Sequence, residues 1–161
     1  LHPQDLHRFA DLDVVASIQP GHAPFGQYFK PDTINQRLHK HQIPTAFAWN
    51  DIRATGAKMI FSTDWPVIPI DVMKNIKSAV APIKLSKPWR DQTQSLYQTL
   101  ESYTSMNAWV EFNEDRKGQL KAGMMADIVV MSHDLGAMEK DELDSAKAMY
   151  TICDGQITYE A

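Results

Sequence analysis

The sequence predicts an α/β protein: βα units built on a parallel sheet, followed by a smaller and separate β unit. Three observations carry this. Residues 14–18 and 58–62 are short apolar runs, each ending in turn-forming residues and each followed by helical spacing, the rhythm of βα units. Asp154-Gly155 lies between two short strand-like runs, the strongest short-range sign of a hairpin. Finally, 43% of the 161 residues are hydrophobic and 22% charged, a globular and not a disordered balance.

Each element has a local reason. In residues 3–12, Leu6, Phe9, Ala10 and Leu12 have helical spacing, and Pro3 suits a first turn. Val14, Val15, Ala16 and Ile18 form a β-branched run stopped by Gln19, Pro20 and Gly21, which predicts a buried strand. Residues 20–31 read as a long loop. Asp32 and Thr33 suit the cap of a short helix reaching Leu38. A helix over about 46–55 follows Pro44 and Thr45 and is closed by Gly56. Residues 58–62 are the second buried strand. A turn through Asp64, Trp65 and Pro66 leads to a helix over about 71–81. Strand, crossover and strand should wind right-handed into a parallel pair. A complete (β/α)8 barrel takes roughly 250 residues, so only two or three βα units fit here. The expectation is a piece of a longer protein, and a first residue of Leu in place of Met points the same way.

Residues 92–109 read as one or two helices with Leu96, Leu100, Tyr103 and Met106 on one face. After Phe112 the texture changes. Glycines stand at 118 and 123, residues 126–131 form a strand, and 141–147 a short acidic helix or loop. Residues 148–153 and 156–159 make the arms of the hairpin.

Charge and motifs exclude several classes. The net charge is −4 and no long basic run exists, so nucleic acid is not an expected partner. No stretch approaches the ~18 apolar residues of a membrane span, and the start LHPQDLHRF has no leader character. A single cysteine rules out a disulfide framework and a Cys-rich metal site. A cytoplasmic location is the expectation. The glycine-rich nucleotide loops, the nucleophile-elbow serine motif and C-x-x-C are all missing.

The candidates for chemistry gather at strand ends. Asp64 stands just past the second strand, where barrel and open α/β sheets keep catalytic groups. A carboxylate there can hold a divalent metal and take a proton from water, or simply cap the loop. His22 occupies the equivalent place after the first strand and can meet substrate, metal or solvent. Trp65 and Phe25 can line a pocket or pack. His39 and His41 form an H-x-H at the end of a basic helix, where i and i+2 side chains diverge; a solvated helix end is expected. His133 has no visible partner. Cys153 lacks an activating histidine and is expected in the core.

At Asp64 the sequence meets a known family. Gly56-Ala57-Lys58 through Ser62-Thr63-Asp64-Trp65-Pro66-Val67 resembles the last barrel strand of the amidohydrolase superfamily, and is closest to the branch typified by N-substituted formamide deformylase. Residues 6–12, followed by Val15 through Gln19-Pro20-Gly21-His22, resemble that branch's seventh strand and the helix before it. Tyr103 through Ala108 resembles its post-barrel helix. Residues 118–130, with Gly118, Leu120, Gly123, Ala126, Asp127 and Val129, resemble the superfamily's G-x-L-x-x-G-x-x-A-D stretch. Residues 149–159 resemble its closing hairpin.

The resemblance implies the last βα units of a (β/α)8 TIM-type barrel over residues 1–112, and part of a small composite β-sandwich over 113–161. It implies hydrolysis of C–N bonds, of amide or formamide type, by a metal-activated water. Asp64 then serves as metal ligand, with zinc the expected metal, and as proton shuttle. His22 and Trp65 are assigned to the substrate side, and Asp127 to tying a turn. The family's first-strand H-x-H and its two later histidines have no counterpart here, so Asp64 is the one metal-site residue carried over. A single carboxylate does not make a zinc site, and the isolated chain is expected to be inactive. Expected partners are a small amide-type substrate and either the rest of a longer chain or another copy. The alternative is a non-catalytic fragment that completes a barrel or an oligomer.

Overall fold

The computed structural model describes residues 1–161. It is mixed α/β, with two separate sheets. Strand β1 (Ala16–Ile18) pairs in parallel with β2 (Met59–Phe61), Ala16 opposite Met59 and Ile18 opposite Phe61. Strands β3 (Ile128–Met131), β4 (Ala148–Cys153) and β5 (Gln156–Glu160) form an antiparallel sheet in that order. Six α-helices accompany them: α1 (Arg8–Asp11), α2 (Pro31–Asn35), α3 (Trp49–Ala54), α4 (Met73–Val80), α5 (Leu96–Tyr103) and α6 (Ser105–Val110). None is long and apolar enough to cross a membrane.

Several elements are shorter than their spacing predicts, for local reasons. The first helical stretch breaks into a 3-10 turn, Pro3–Asp5, and α1. Val14 belongs to the turn before β1, since its N–H donates to Phe9 O (2.8 Å). Helix α2 starts with Pro31 in its first turn and Lys30 as cap, not at an Asp32 or Thr33 cap, and ends at Asn35, not Leu38. Proline's fixed φ suits that first turn. The helix predicted over 46–55 begins only at Trp49, because Phe47 sits at φ 50°, which stops a right-handed helix from extending backwards. Gly56 closes α3 at φ 84°. Asp71 accepts from Met73 N (2.9 Å) and delays the start of α4.

Two apolar clusters hold the chain together. Ala16, Phe25, Trp49, Ile52, Met59 and Phe61 pack between the β1–β2 sheet and its helices. Met73, Ile76 and Val80 of α4 pack against Leu143 and Ala146, with Leu96 and Leu100 of α5 at the side. Tyr103 touches both clusters. An ion pair, Lys77 Nζ to Asp144 Oδ1 at 2.9 Å, ties α4 to the 3-10 segment Lys140–Ser145. Helix α5 carries a complete capping box, Ser95 with Gln98, and α6 is a separate helix after a break at Thr104. Asn107 of α6 donates to Phe61 O (3.2 Å), steadying the end of β2.

The hairpin β4–β5 turns at Asp154 and Gly155, with φ 49° and 78°. Asp127 Oδ1 accepts from Asp154 N (2.9 Å), so its carboxylate ties this turn. Cys153 is exposed, not in the core. It is the last residue of β4, opposite Gln156, where the hairpin projects beyond its packing. His39 and His41 lie outside any helix, exposed, with stacked rings 5.7 Å apart. The divergence expected of a helix end does not apply to them. His133 does have a neighbour: its Nδ1 lies 2.8 Å from Ser132 Oγ.

Candidate functional site

Both strands of the parallel sheet run towards the same end, and at that end the chain brings His22 and Asp64 together. His22 closes a 3-10 turn, Pro20–His22, directly after β1. Its N–H donates to Gln19 O (3.1 Å) and its ring stands edge-on to Phe29, with centroids 5.6 Å apart. Asp64 follows β2 at φ 59°. The left-handed region is uncommon for a residue with a Cβ, though aspartate tolerates it better than most. Non-glycine residues held there cluster at functional sites. Asp64 O accepts from Val67 N (2.9 Å), closing the turn that carries Trp65 and Pro66.

His22 Nε2 and Asp64 Oδ2 are 3.9 Å apart. That is too long for a hydrogen bond and admits an ion pair only with a protonated imidazole. Nε2 is buried and has no hydrogen-bond partner, while the Asp64 side chain is 54% exposed. A buried orphaned nitrogen facing an open carboxylate marks a place for a bridging atom. Gln19 adds to the same end, its Nε2 donating to Ser62 Oγ (3.2 Å) beyond β2. Trp65 is 65% exposed, with its backbone N–H donating to Thr63 Oγ1.

The imidazole and carboxylate are donors that suit a divalent transition metal. Their number does not suffice. No group of three or more His, Cys, Asp or Glu side chains converges anywhere in the chain, whereas a catalytic zinc takes three protein ligands and a water. Two donors at tetrahedral angles on zinc stand about 3.4 Å apart, closer than these two. Residues 1–161 therefore supply part of a metal centre at most.

A cavity of about 290 Å³ adjoins His22, lined on its apolar side by Phe9, Ile18, Phe47, Trp49 and Ile52. The larger cavity, about 320 Å³, runs along residues 82–92 beside Phe25 and includes neither His22 nor Asp64. The smaller one is the candidate because His22 and Gln19 line it; Asp64 is not among its lining residues.

Side chains that motif reading missed surround the His22 turn. Asn75 of α4 is fully buried and its Oδ1 accepts from Gly21 N (3.0 Å). The Tyr28 ring lies against Gly21. Its hydroxyl has no partner, and burial, with Asp71 second, pushes its pKa up. The available signal was the polar Asn75 and Ser78 on the otherwise apolar inward face of α4.

Comparison with known proteins identifies the family. The amidohydrolase family profile matches residues 1–159, and the chain belongs to that family. It is 30% identical over 160 residues to the amidohydrolase YtcJ of Bacillus subtilis strain 168, covering 96% of this chain and 30% of that protein. It resembles an uncharacterised metal-dependent hydrolase of Pyrococcus horikoshii OT3, with TM-score 0.65 and 28% identity over 78% of this chain and 26% of that one. An amidohydrolase of Thermotoga maritima MSB8 shares the fold, with TM-score 0.62 and 18% identity over 98% of this chain and 34% of that one. The chain thus spans about a third or less of each of these proteins.

Proposed function

We propose that this chain is the C-terminal part of a metal-dependent amidohydrolase that hydrolyses C–N bonds of amides, with N-substituted formamides the favoured substrates. The observation that supports the reading best is the approach of His22 Nε2 to Asp64 Oδ2, 3.9 Å, at the common end of two parallel strands. In this reading β1 and β2 are neighbouring strands of a (β/α)8 barrel, and residues 113–161 are part of a β-sandwich.

The steps assigned to this chain are proton transfer and positioning. Water attacks the carbonyl carbon, and the Asp64 carboxylate accepts the water's proton. The C–N bond breaks as Asp64 returns that proton to the departing nitrogen, giving a carboxylic acid and an amine. His22 faces the substrate, and Trp65 covers it from the exposed side. The apolar cavity beside His22 accommodates the N-substituent. Asp64, with donors outside residues 1–161, would hold a divalent metal, zinc in this reading, which when bound would lower the pKa of water to about 7 and polarise the carbonyl.

Turnover of a series of N-substituted formamides and N-acetyl amines by the intact protein tests this. Asp64→Asn keeps the size of the side chain and removes the proton acceptor. A loss of at least ~100-fold in kcat is expected, with the circular dichroism unchanged. Near-normal turnover in this variant removes Asp64 from the mechanism.

A second reading rests on a different observation. β1 and β2 form a two-stranded parallel sheet with both outer edges unpaired, although parallel sheets are normally covered and extended. This favours a role in completing a larger barrel or oligomer. An intact-mass measurement on the protein from its source distinguishes a 161-residue species from a longer one.

A further inference from the structure

The turn that carries His22 is held from outside its own βα unit. Two side chains of α4, Asn75 and Ser78, are fully buried and lie one helical turn apart on the same face. Each accepts a backbone N–H from the loop after β1: Asn75 Oδ1 from Gly21 N (3.0 Å), and Ser78 Oγ from Gln27 N (3.1 Å). Ser78 Oγ in turn donates to Lys74 O (2.7 Å). Between these anchors Ala23, Phe25 and Gly26 are buried. Gly21 itself has no room to spare: a Cβ there would stand 2.7 Å from Asn75 Oδ1, 2.7 Å from Tyr28 Cδ2 and 2.8 Å from Ile68 Cδ1. Asn75 Nδ2 has no partner. A buried amide with one half unpaired costs stability, so fold stability alone does not account for it.

We infer that Asn75 is a positioning residue for His22. Helix α4 follows the loop that carries Asp64, so one helix fixes the His22 turn relative to the Asp64 turn. The separation of the two functional side chains then depends on the Gly21–Asn75 bond. This inference rests on the proposed placement of His22 at the substrate.

A double-mutant cycle in the intact, metal-loaded protein tests it. Asn75→Ala is expected to lower kcat/KM about 10-fold or more, since small displacements of a catalytic constellation are costly. In a His22→Ala background the same change is expected to cost less than ~2-fold, because the imidazole it aims is gone. Independently of turnover, deuterium uptake of a peptide containing Gly21 should be faster in Asn75→Ala. Asn75→Asp keeps the accepting oxygen at the cost of burying a carboxyl group, and should restore slow uptake of the Gly21 peptide where Asn75→Ala does not. If Asn75→Ala fails to fold, Gly21→Ala repeats the cycle by pushing the turn off α4 with the helix unchanged. Equal losses in the wild-type and His22→Ala backgrounds overturn the positioning role. No effect of His22→Ala on kcat/KM overturns the placement of His22 itself, a different failure.

Discussion

Tyr103 is half-buried between the two apolar clusters, with its ring against Phe61 at 5.6 Å and its hydroxyl buried and unpartnered. Burial, and secondarily Tyr28, pushes its pKa well above the ordinary tyrosine value. The folded state therefore holds this proton more tightly than the unfolded chain does. The resulting stability is fully present below about pH 10, the unfolded value, and is lost as pH rises beyond it. Tyr103→Phe should leave stability near pH 7 unchanged or slightly higher, since no bond to the hydroxyl is broken. It should also flatten the fall between about pH 10 and 12, read as urea midpoints across that range. An unchanged alkaline slope contradicts the assignment. Asp64 and His22 were legible as residues because their neighbours, Thr63-Asp64-Trp65-Pro66 and Gln19-Pro20-Gly21-His22, lie in short stretches at strand ends. Asn75 was not, because an asparagine inside a helix reads as solvated unless its face is known to be buried.

At the scale of elements, polar contacts join α3 to α5 and to the segment just before it. The Arg53 guanidinium donates to Gln94 Oε1 (2.7 Å) and Ser102 Oγ (2.9 Å). Both partners are buried, and the loss of hydration lowers the pKa of Arg53 against the opposing effect of Glu101. Arg53→Met fills similar space but strands both partners. A cost of about 2–3 kcal/mol is expected, seen as a lower denaturant midpoint with an unchanged m-value. In the second sheet, Gly155 sits at φ 78° and the nearest atom to a Cβ there is 4.0 Å away. Gly155→Ala therefore meets no clash, and its cost is conformational, about 1–2 kcal/mol. Gly155→Asn should cost less, as asparagine tolerates this region. Melting temperatures of the two variants check the order. The hairpin was readable because Asp-Gly has one strong preference. The ends of α2 and α3 were not. Phe47 at φ 50° follows from tertiary packing around Phe25 and Trp89, which no local pattern encodes. The start of α5 was placed only within a helical stretch over 92–109, although Ser95 and Gln98 carry the capping-box spacing that marks it.

For the whole molecule, area is the informative quantity. A compact monomer of 18.3 kDa exposes about 8,100 Å², and this chain exposes 10133 Å². The excess, about 2,000 Å² on this chain alone, is more than twice the ~800 Å² that each partner gives to a standard protein interface. It includes Trp65, Val67 and Ile70 after β2, and Val129, Ile157 and Tyr159 on the second sheet. Within the proposed function, that surface and the missing metal ligands share one cause: a site and a barrel shared with polypeptide beyond these 161 residues. The length of the chain, short for a whole barrel, raised the same expectation from sequence, whereas the exposed faces emerge only from the packing. The most direct test is metal stoichiometry of the 161-residue polypeptide after loading with zinc and extensive dialysis, measured by mass spectrometry. Even with His22 counted beside Asp64, only two donors stand where three are needed, and affinity depends on both count and orientation. Far less than one zinc per chain is expected. One equivalent that resists a chelator would contradict it, because a complete site would then exist within residues 1–161.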